Sequence, residues 1–592
     1  MSAASPAAGL GKAGPPRRLI AVAVRRTLAA GYTWKIFRAD AMAGVVVGIV
    51  ALPLSMALSI AVGAPPQHGL YTAIVAGLVV SLAGGSKHQV TGPTAAFVVI
   101  LAPIVARHGL PGLLTAGMMA GVLLVIMGVA RLGKLIEFIP YPVTTGFTAG
   151  IATVIAALQI KDCLGLEVAH MPESFFGKLA ALWAARASAS VAEVAVAGAT
   201  LGLLLYLPRL TQKIPAPLLA VSFVGCAAAF AGWIWPRFHV ATLGSRFSAT
   251  VGGTTYAGIP PFPPLPRLPW GPEGLSFDAV RELAGAALAI AVLGAIESLL
   301  SAVVADGATG KKHAPDSELF ALGLGNIIAP FFGGIAATGA LARTATNIRA
   351  GAQSPFACVI HSLFVLFAVV FGSRLVAYVP MASMAALLLL VAWNMSDLRH
   401  CVHVVRVSPR SDVLVLLTCY GLTVTFDMVV AVSVGVVLAA LLFMQRMSNL
   451  TSLRVMPAEM HDETRKLAAG IRLYEIAGAL FFGAAQKAMG AIEVVGDDSR
   501  VFVISLAGVP VIDATGLVAL ESMCAKLQRS GKIVVIAGPL PHPRAVFDKA
   551  KLEVVNDRVF LAATLDEGLQ LASDLILLTP ESAPLSLRPP AK

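Results

Sequence analysis

The sequence contains two interrupted apolar segments, Gln89-Val90-Thr91-Gly92-Pro93-Thr94-Ala95-Ala96-Phe97 and Gly333-Gly334-Ile335-Ala336-Ala337-Thr338-Gly339-Ala340-Leu341-Ala342-Arg343. Each segment predicts a few extended residues followed by a helix that begins well inside an apolar region. Pro93 suits a position near the first helical turn, because its missing N–H would have no partner there. The segments occupy similar places in two halves of the chain, which indicates the binding site of a membrane carrier.

A helix start can bind an anion because it has unpaired N–H groups and the positive end of the helix dipole. Two starts that point at one place would form an anion site without many charged side chains. Small residues would keep the N–H groups accessible in both segments: Ala95, Ala96, Gly339 and Ala340. The alternative is that glycine and proline only kink packed helices, which membrane proteins tolerate.

The composition excludes an ordinary soluble protein. Of the 592 residues, 57% are hydrophobic and only 13% are charged, whereas soluble domains have about 25% charged residues. Apolar stretches that could cross a bilayer, or part of it, recur between Gly44 and Met444, and we count about fourteen. The net charge of +12 comes mostly from residues between these stretches, so it indicates membrane orientation and not nucleic-acid binding. We predict a polytopic α-helical membrane protein.

Basic residues predict the orientation of the chain. The first twenty residues contain no apolar core of a signal peptide, and the short connections on that side carry Lys87, Lys311 and Arg399. We therefore expect both termini in the cytoplasm. The connection from Trp235 to Asp278 would lie on the opposite side, and its many prolines predict an irregular loop.

Charged residues become denser beyond Arg446, where alternating strand and helix patterns predict a small α/β domain. We divide the chain into a cytoplasmic amino-terminal region (1–40), a transmembrane transport domain (41–448), the α/β domain (449–576) and a disordered tail (577–592). Asp513 and Thr515 fall between a buried strand and a helix, where they could cap the helix.

Two charged residues inside the apolar region are candidates for anion and coupling-ion binding. Arg343 follows the start of the second predicted helix, and Glu297 is the only acid between Leu283 and Val304. Charged side chains are costly in a membrane and usually have a function or a partner. Alternatively, Arg343 reaches the membrane surface and Glu297 stays neutral between helices. Ser298 and Ser301 could add hydroxyl ligands or serve helix packing.

Four motifs in combination resemble the sulfate permease (SulP) family of anion transporters with a carboxy-terminal STAS domain. They are Gly69-Leu70-Tyr71-Thr72-Ala73, Gly84-Gly85-Ser86-Lys87, Thr91-Gly92-Pro93-Thr94-Ala95-Ala96 and Asp513-Ala514-Thr515-Gly516. The resemblance implies a seven-plus-seven inverted repeat, a core domain that moves against a gate domain like an elevator, and a homodimer. No catalytic nucleophile, metal cluster or phosphate-binding loop stands out, so neither an enzyme nor a cofactor is predicted.

The same resemblance implies roles for individual residues. Substrate contacts are expected at Leu54, Ser55, Met56, Thr94, Ala95, Ala96, Phe97, Gly339, Ala340, Leu341, Ala342 and Arg343. Coupling-ion or proton chemistry is expected at Glu297, with Ser298 and Ser301 beside it in sequence. In related anti-sigma-factor antagonists the hydroxyl that matches Thr515 is phosphorylated, so Asp513 and Thr515 form either a regulatory site or a simple helix cap.

Further stretches resemble the dicarboxylate transporters of this family: Leu52–Leu58, Gln159–Asp162, Gly294–Leu300 and Val391–Ser396. They imply a proton-coupled transporter of C4-dicarboxylates (succinate, fumarate, malate, aspartate) in the bacterial inner membrane. The alternatives are a sulfate transporter or a sodium-coupled bicarbonate transporter of the same family. Outside that class, the alternatives are an anion channel and a membrane scaffold that binds an unknown cytosolic partner through the STAS domain.

Overall fold

The structure is a computed structural model that forms two compact units, residues 1–437 and 438–592. It describes the whole chain except residues 1–18, 135–139, 169–170, 173, 211–214, 236–237, 252, 272–273, 427, 451, 457–467, 469, 482–498, 552–557 and 579–592. Most of the predicted tail at 577–592 therefore lies outside the described residues. Its first two residues end a helix.

The first half of the membrane unit is built almost entirely from helices. They are α1 (Val22–Ala29), α2 (Trp34–Val62), α3 (Pro66–Ala83), α4 (Ala95–Val129), α5 (Tyr141–Leu164), α6 (Phe175–Ala184), α7 (Val191–Leu210), α8 (Ala216–Ile234) and α9 (Leu243–Arg246). Strand β1 (Thr91–Gly92) precedes α4. Within α4, Gly109 has φ 64° and ψ −169°, so the helix changes direction there and contributes two membrane segments.

The second half repeats this arrangement. Its helices are α10 (Phe277–Thr309), α11 (Pro315–Ile328), α12 (Leu341–Arg349), α13 (Phe356–Val376), α14 (Met381–Ser396), α15 (Leu398–Val407), α16 (Arg410–Thr425) and α17 (Met428–Leu450). The two-residue strand of this half, Thr338–Gly339, precedes α12 just as β1 precedes α4. The interrupted helices thus occupy matching places in the two halves, as predicted.

Ten helices among the described residues are long and apolar enough to cross a membrane. A search for long helices leaves out α11, α12 and α16, because they are short. It also counts α4 once, although the parts of α4 before and after Gly109 are separate membrane segments. With these included, each half contributes seven segments, so the predicted fourteen segments in two repeats are confirmed. Two of the short segments have one end inside the protein, since α11 leads into the buried Ala329 and Pro330 and α12 follows the buried Ala340. Neighbouring helices can satisfy the freed backbone groups there.

The segments pack into two bundles, and both halves contribute to each. Helices α2, α3 and α4 pack against α10, α11, α12 and α13, and we call this group the core bundle. Helices α5, α7 and α8 pack with α14 and α16, and we call this group the gate bundle. The division agrees with the core and gate domains that the family resemblance implies.

The connection between α8 and α10 is more ordered than predicted. It contains α9 and a hairpin of β2 (Ser248–Val251) and β3 (Thr254–Ala257). β-branched residues on both strands favour pairing, and Gly253 takes the positive φ of 82° that the turn requires. The prediction of an irregular loop was wrong for this part, because most of the prolines that suggested it, from Pro260 onward, follow the hairpin.

The second unit has a five-stranded sheet with helices on both faces. Strand Thr338–Gly339 of the membrane unit is labelled β4 and is not part of this sheet. The strands of the sheet lie in the order β5 (Ser452–Met456), β6 (Ile471–Ala477), β7 (Val501–Gly508), β8 (Ile533–Ala537) and β9 (Val559–Ala562). The helices are α18 (Ala514–Arg529), α19 (Pro541–Ala550) and α20 (Leu565–Leu578). Only β5 is antiparallel to its neighbour. Successive residues of β7 belong to apolar clusters on opposite faces of the sheet, Phe502 to one and Val503 to the other. Both faces of β7 are therefore buried, which explains its continuous hydrophobic run.

Candidate functional site

The two interrupted segments meet at a short antiparallel pairing inside the core bundle. Thr91 of β1 pairs with Gly339 of β4, and Gly92 pairs with Thr338. The backbone N–H of Ala340 donates to the Val90 carbonyl at 2.8 Å. The pairing satisfies backbone groups that have no water partner inside a membrane, and it brings the starts of α4 and α12 close together.

Neither helix start has a side-chain cap. Thr94, which precedes α4, has an extended backbone, and its side chain does not accept from the first turn. Ala340, which precedes α12, has no side chain that could do so. The first N–H groups of both helices therefore remain available to another acceptor, and the helix dipoles favour an anion there. Pro93 lies two residues before α4, slightly earlier than predicted.

The Thr94 hydroxyl is turned away from its own helix and toward α10. It donates to Oε2 of Glu297 at 2.8 Å. Thr94 is buried, whereas Glu297 is partly exposed. The acid predicted to bind a coupling ion is therefore in direct contact with the residue at the start of α4, and the charge or position of this carboxyl can affect that start.

One face of α10 anchors both interruptions. The hydrogen bonds are Thr338 Oγ1 to the Gly294 carbonyl (2.9 Å), Gln89 Nε2 to Ser298 Oγ (2.5 Å) and Ser301 Oγ to Thr344 Oγ1 (3.2 Å). The three α10 residues in these bonds, Gly294, Ser298 and Ser301, lie three, four or seven positions apart, so they share one helical face. Glu297 lies next to Ser298, three positions from Gly294 and four from Ser301. Ser298, predicted beside the coupling ion, thus contacts Gln89 of the first interruption, and Ser301 contacts Thr344 of the helix that follows the second.

Arg343 is almost completely buried, with 1% of its surface exposed. Its Nη2 donates to the carbonyl of Pro93, at the turn that leads into α4. Its Nε and Nη1 have no hydrogen-bond partner among the described residues. A Cβ on Gly92 would lie 2.6 Å from Nη1, so glycine leaves the space that the guanidinium fills. This burial contradicts the alternative in which Arg343 reaches the membrane surface.

The other predicted substrate contacts differ in accessibility. Those that are buried are Ser55, Met56, Ala95, Ala96, Phe97, Gly339 and Ala340, and those that are at least partly exposed are Leu54, Leu341 and Ala342. Helix α2 packs against both α4 and α12, which brings the first spanning helix to the same place. The accessible members of this set are therefore all apolar, and the partly exposed carboxyl of Glu297 is a polar side-chain group at the start of α4.

Sequence reasoning missed several polar residues that hold the site together. Asn326 of α11 accepts from the N–H of Ala337 at 2.8 Å and donates to its carbonyl at 2.9 Å. Thr72 of α3 donates to the Ile335 carbonyl at 3.1 Å. A lone Asn in an apolar helix is costly without a partner, so Asn326 could have been found. Thr72 could not, because threonine is common in such helices.

In the second unit, the predicted cap of α18 is present. Oδ1 of Asp513 accepts from the backbone N–H of Gly516 at 2.7 Å. The nearby Thr515 is exposed. Asp513 therefore has a structural role as a helix cap. The hydroxyl of Thr515 is accessible to a modifying enzyme, and regulation through Thr515 stays a prediction.

The chain matches the sulfate permease family over residues 37–419 and the STAS domain over residues 465–567. The putative sulfate transporter YvdB of Bacillus subtilis (strain 168) is 38% identical over 524 residues, which cover 88% of this chain and 95% of the relative. The bicarbonate transporter BicA of Picosynechococcus sp. is 30% identical over 539 residues, 87% of this chain and 91% of the relative. The structure of the murine solute carrier 26 family member A9 anion transporter has the same fold, with a TM-score of 0.81 at 16% identity and 94% of each chain covered.

Proposed function

Because the chain belongs to the sulfate permease family, and is thus a multi-pass anion transporter and not an enzyme, we propose that it carries sulfate or bicarbonate by secondary active transport. One observation carries this proposal. The uncapped starts of α4 and α12 lie side by side, with the buried guanidinium of Arg343 against the turn that begins α4. Such a group of positive partial charges suits a small oxyanion.

Two observations favour an inorganic oxyanion over the predicted C4-dicarboxylate. The relatives described above are named as sulfate and bicarbonate transporters, which supports the alternative and not the first prediction. Arg343 is also the only buried Lys or Arg among the residues that the structure describes. A dicarboxylate would need a second group of donors for its distant carboxyl, whereas a compact anion can be bound at one place.

We further propose that Glu297 couples anion movement to protons. Its carboxyl contacts Thr94 beside the anion site, so an unprotonated Glu297 would repel a bound anion and a protonated one would not. Anion and proton binding would therefore favour each other, as symport requires. Sodium bound near the same carboxyl would have a similar effect, which makes sodium-coupled bicarbonate transport the second candidate.

The remaining features of the proposal rest on the fold and on charge. Each bundle contains helices from both halves of the chain, which supports an elevator-like movement of the core bundle against the gate bundle. The basic short connections support cytoplasmic termini in a bacterial inner membrane. A homodimer is proposed from the family resemblance alone.

The substrate proposal can be tested by uptake into proteoliposomes. Labelled sulfate, bicarbonate and succinate are offered separately, each under an imposed proton gradient or an imposed sodium gradient. We expect uptake of sulfate or bicarbonate driven by one of the two gradients. Uptake of succinate alone would restore the dicarboxylate prediction. Currents far above carrier turnover would indicate a channel, and no uptake of any anion would favour a scaffold.

Two variants test the site itself. Glu297→Gln should flatten the pH dependence of uptake more than it lowers anion affinity, because glutamine cannot be protonated in this range. Arg343→Ala should lower anion affinity. Glu282→Gln is the matched control, since it changes an exposed glutamate on the same helix. A retained pH profile in Glu297→Gln would exclude the proposed coupling, and wild-type affinity in Arg343→Ala would move the anion site elsewhere.

A further inference from the structure

Helix α15 is a short amphipathic helix between two membrane segments of the gate bundle. Its exposed apolar row comprises Leu398, Val402 and Val405, and its exposed basic row comprises Arg399, His403 and Arg406. Both rows repeat at positions i, i+4 and i+7, so each follows one side of the helix. Cys401 and Val404 are buried on a third side. This distribution suits a helix that lies in the plane of the membrane surface.

A groove of about 710 Å³ opens beside the first residue of α15. It lies between α5, α7 and α14, and residues such as Ala156, Leu201 and Leu389 make its lining almost wholly apolar. Its volume is within the range of about 300–1,000 Å³ that is usual for ligand pockets. Leu398 and the exposed Trp393 also line it. Since Leu398 begins α15, the groove ends where the basic row starts.

We propose that this groove and the basic row together bind one phospholipid with an anionic headgroup. One acyl chain would lie in the groove, and the phosphate would be bound by Arg399 and Arg406. Charge complementarity supports this occupant. Between residues 397 and 410 there are three arginines, Arg399, Arg406 and Arg410, and one acid, Asp397.

The groove and the basic row would have different roles. An acyl chain gains little when it moves from surrounding lipid to a protein groove that is equally apolar, so the groove fixes the position of the lipid without selecting its class. The planar guanidinium groups select the class, because they match the geometry of phosphate oxygens and are always charged. In the proposed orientation α15 faces the cytoplasmic leaflet, where basic segments next to the membrane attract anionic lipids.

Fluorescence quenching by brominated lipids tests the proposal on the full chain. Trp393 lines the groove, so it is kept while Trp34, Trp183, Trp233, Trp235 and Trp270 are replaced by Phe. The protein is reconstituted in mixed membranes in which either phosphatidylglycerol or phosphatidylcholine carries brominated acyl chains at equal mole fraction. We expect phosphatidylglycerol to quench Trp393 more strongly, with a relative binding constant about 5- to 30-fold in its favour for two arginines.

Three variants separate the headgroup from the acyl chain. Arg399→Gln with Arg406→Gln should remove the preference and leave quenching by phosphatidylcholine. Arg25→Gln with Arg26→Gln, which changes an exposed basic pair on α1, should keep the preference. Ala156→Phe should fill the groove and lower quenching by both lipids. Thermal unfolding curves of the variants check that each one folds.

Several results would overturn the proposal. Equal quenching by both lipids in the parent protein would exclude headgroup selection, as would a preference that survives the double arginine substitution. Loss of the preference on addition of inorganic phosphate would mean that the arginines bind a free anion. Protection of Trp393 from both lipids would mean that the groove is covered by a second copy of the chain.

Discussion

The hydroxyl of Thr94 and the carboxyl of Glu297 form a hydrogen bond of 2.8 Å that joins the start of α4 to α10. Threonine before a helix usually caps it, but here the side chain bonds to another helix and leaves the first turn of α4 uncapped. The same residue therefore keeps N–H groups available for an anion and links them to the acid proposed to bind protons. The two proposed functions of the site meet at this bond.

Replacement of Thr94 tests this link directly. Thr94→Val keeps the shape of the side chain and removes the donor. We expect uptake efficiency to fall about 5- to 150-fold, because this bond links the proposed anion and proton sites and coupling between two sites is typically worth about 1–3 kcal/mol. Thr94→Ser keeps the hydroxyl and should retain most of the uptake. The measurement is the initial uptake rate at low anion concentration, and equal rates for Thr94→Val and the parent would remove the role of the bond.

Gly92 should not tolerate even one methyl group. A Cβ at this position would lie 2.6 Å from Nη1 of Arg343, so Gly92→Ala must displace the guanidinium or the pairing between β1 and β4. We expect uptake to fall at least as far as in Arg343→Ala. Gly285→Ala on α10 is the control, since a Cβ there meets no atom within 4 Å. Normal uptake by Gly92→Ala would show that the guanidinium can move without loss of function.

Asn326 should contribute to stability more than to selectivity. Asn326→Ala leaves the N–H and the carbonyl of Ala337 without their partner. Two unpaired buried groups cost about 2–6 kcal/mol together, so we expect a clearly lower Tm in thermal unfolding of the purified protein. Asn394→Ala changes an exposed asparagine and should leave the Tm nearly unchanged. An equal Tm for both variants would contradict the proposed anchoring of β4.

In the STAS domain, the cap and the regulatory hypothesis can be separated. Asp513→Ala should lower the stability of the domain by about 0.5–2 kcal/mol, because it removes the cap of α18. Hydrogen exchange in α18 would report this loss. Thr515→Ala should leave exchange unchanged, since its side chain is exposed. If Thr515→Ala and Thr515→Glu both transport normally, Thr515 has no regulatory role.

The broad architecture could be predicted because it depends on local patterns. Gly92, Pro93 and Gly339 interrupt apolar runs, and interruptions of this kind are visible without knowledge of the neighbouring helices. The charges of Glu297 and Arg343 stood out for a similar reason, since charged residues are rare inside a membrane. The alternation of strands and helices in the second unit was equally local, and the resulting sheet has helices on both faces, as expected of an α/β domain.

The internal bonds of the site could not be predicted, because they join residues that are distant in sequence. Nothing local indicates that Gln89 donates to Ser298 or that Thr94 turns toward Glu297. The depth of Arg343 also depends on the empty space beside Gly92, which appears only once β1 and β4 are paired. The substrate could not be predicted from the fold either, because one fold serves several anions. The relatives named above favour sulfate or bicarbonate over the C4-dicarboxylate that was predicted first.

Thr91 enters the membrane long before Gly339 has left the ribosome. Until the second half of the chain has been synthesised, the backbone of β1 has no strand to pair with. Because unpaired backbone groups are costly inside a bilayer, we expect the first half to stay incompletely folded until β4 is made. Substitutions that slow insertion of α10 or α12 would prolong this stage and expose the chain to quality-control proteases, even where they leave the finished carrier intact.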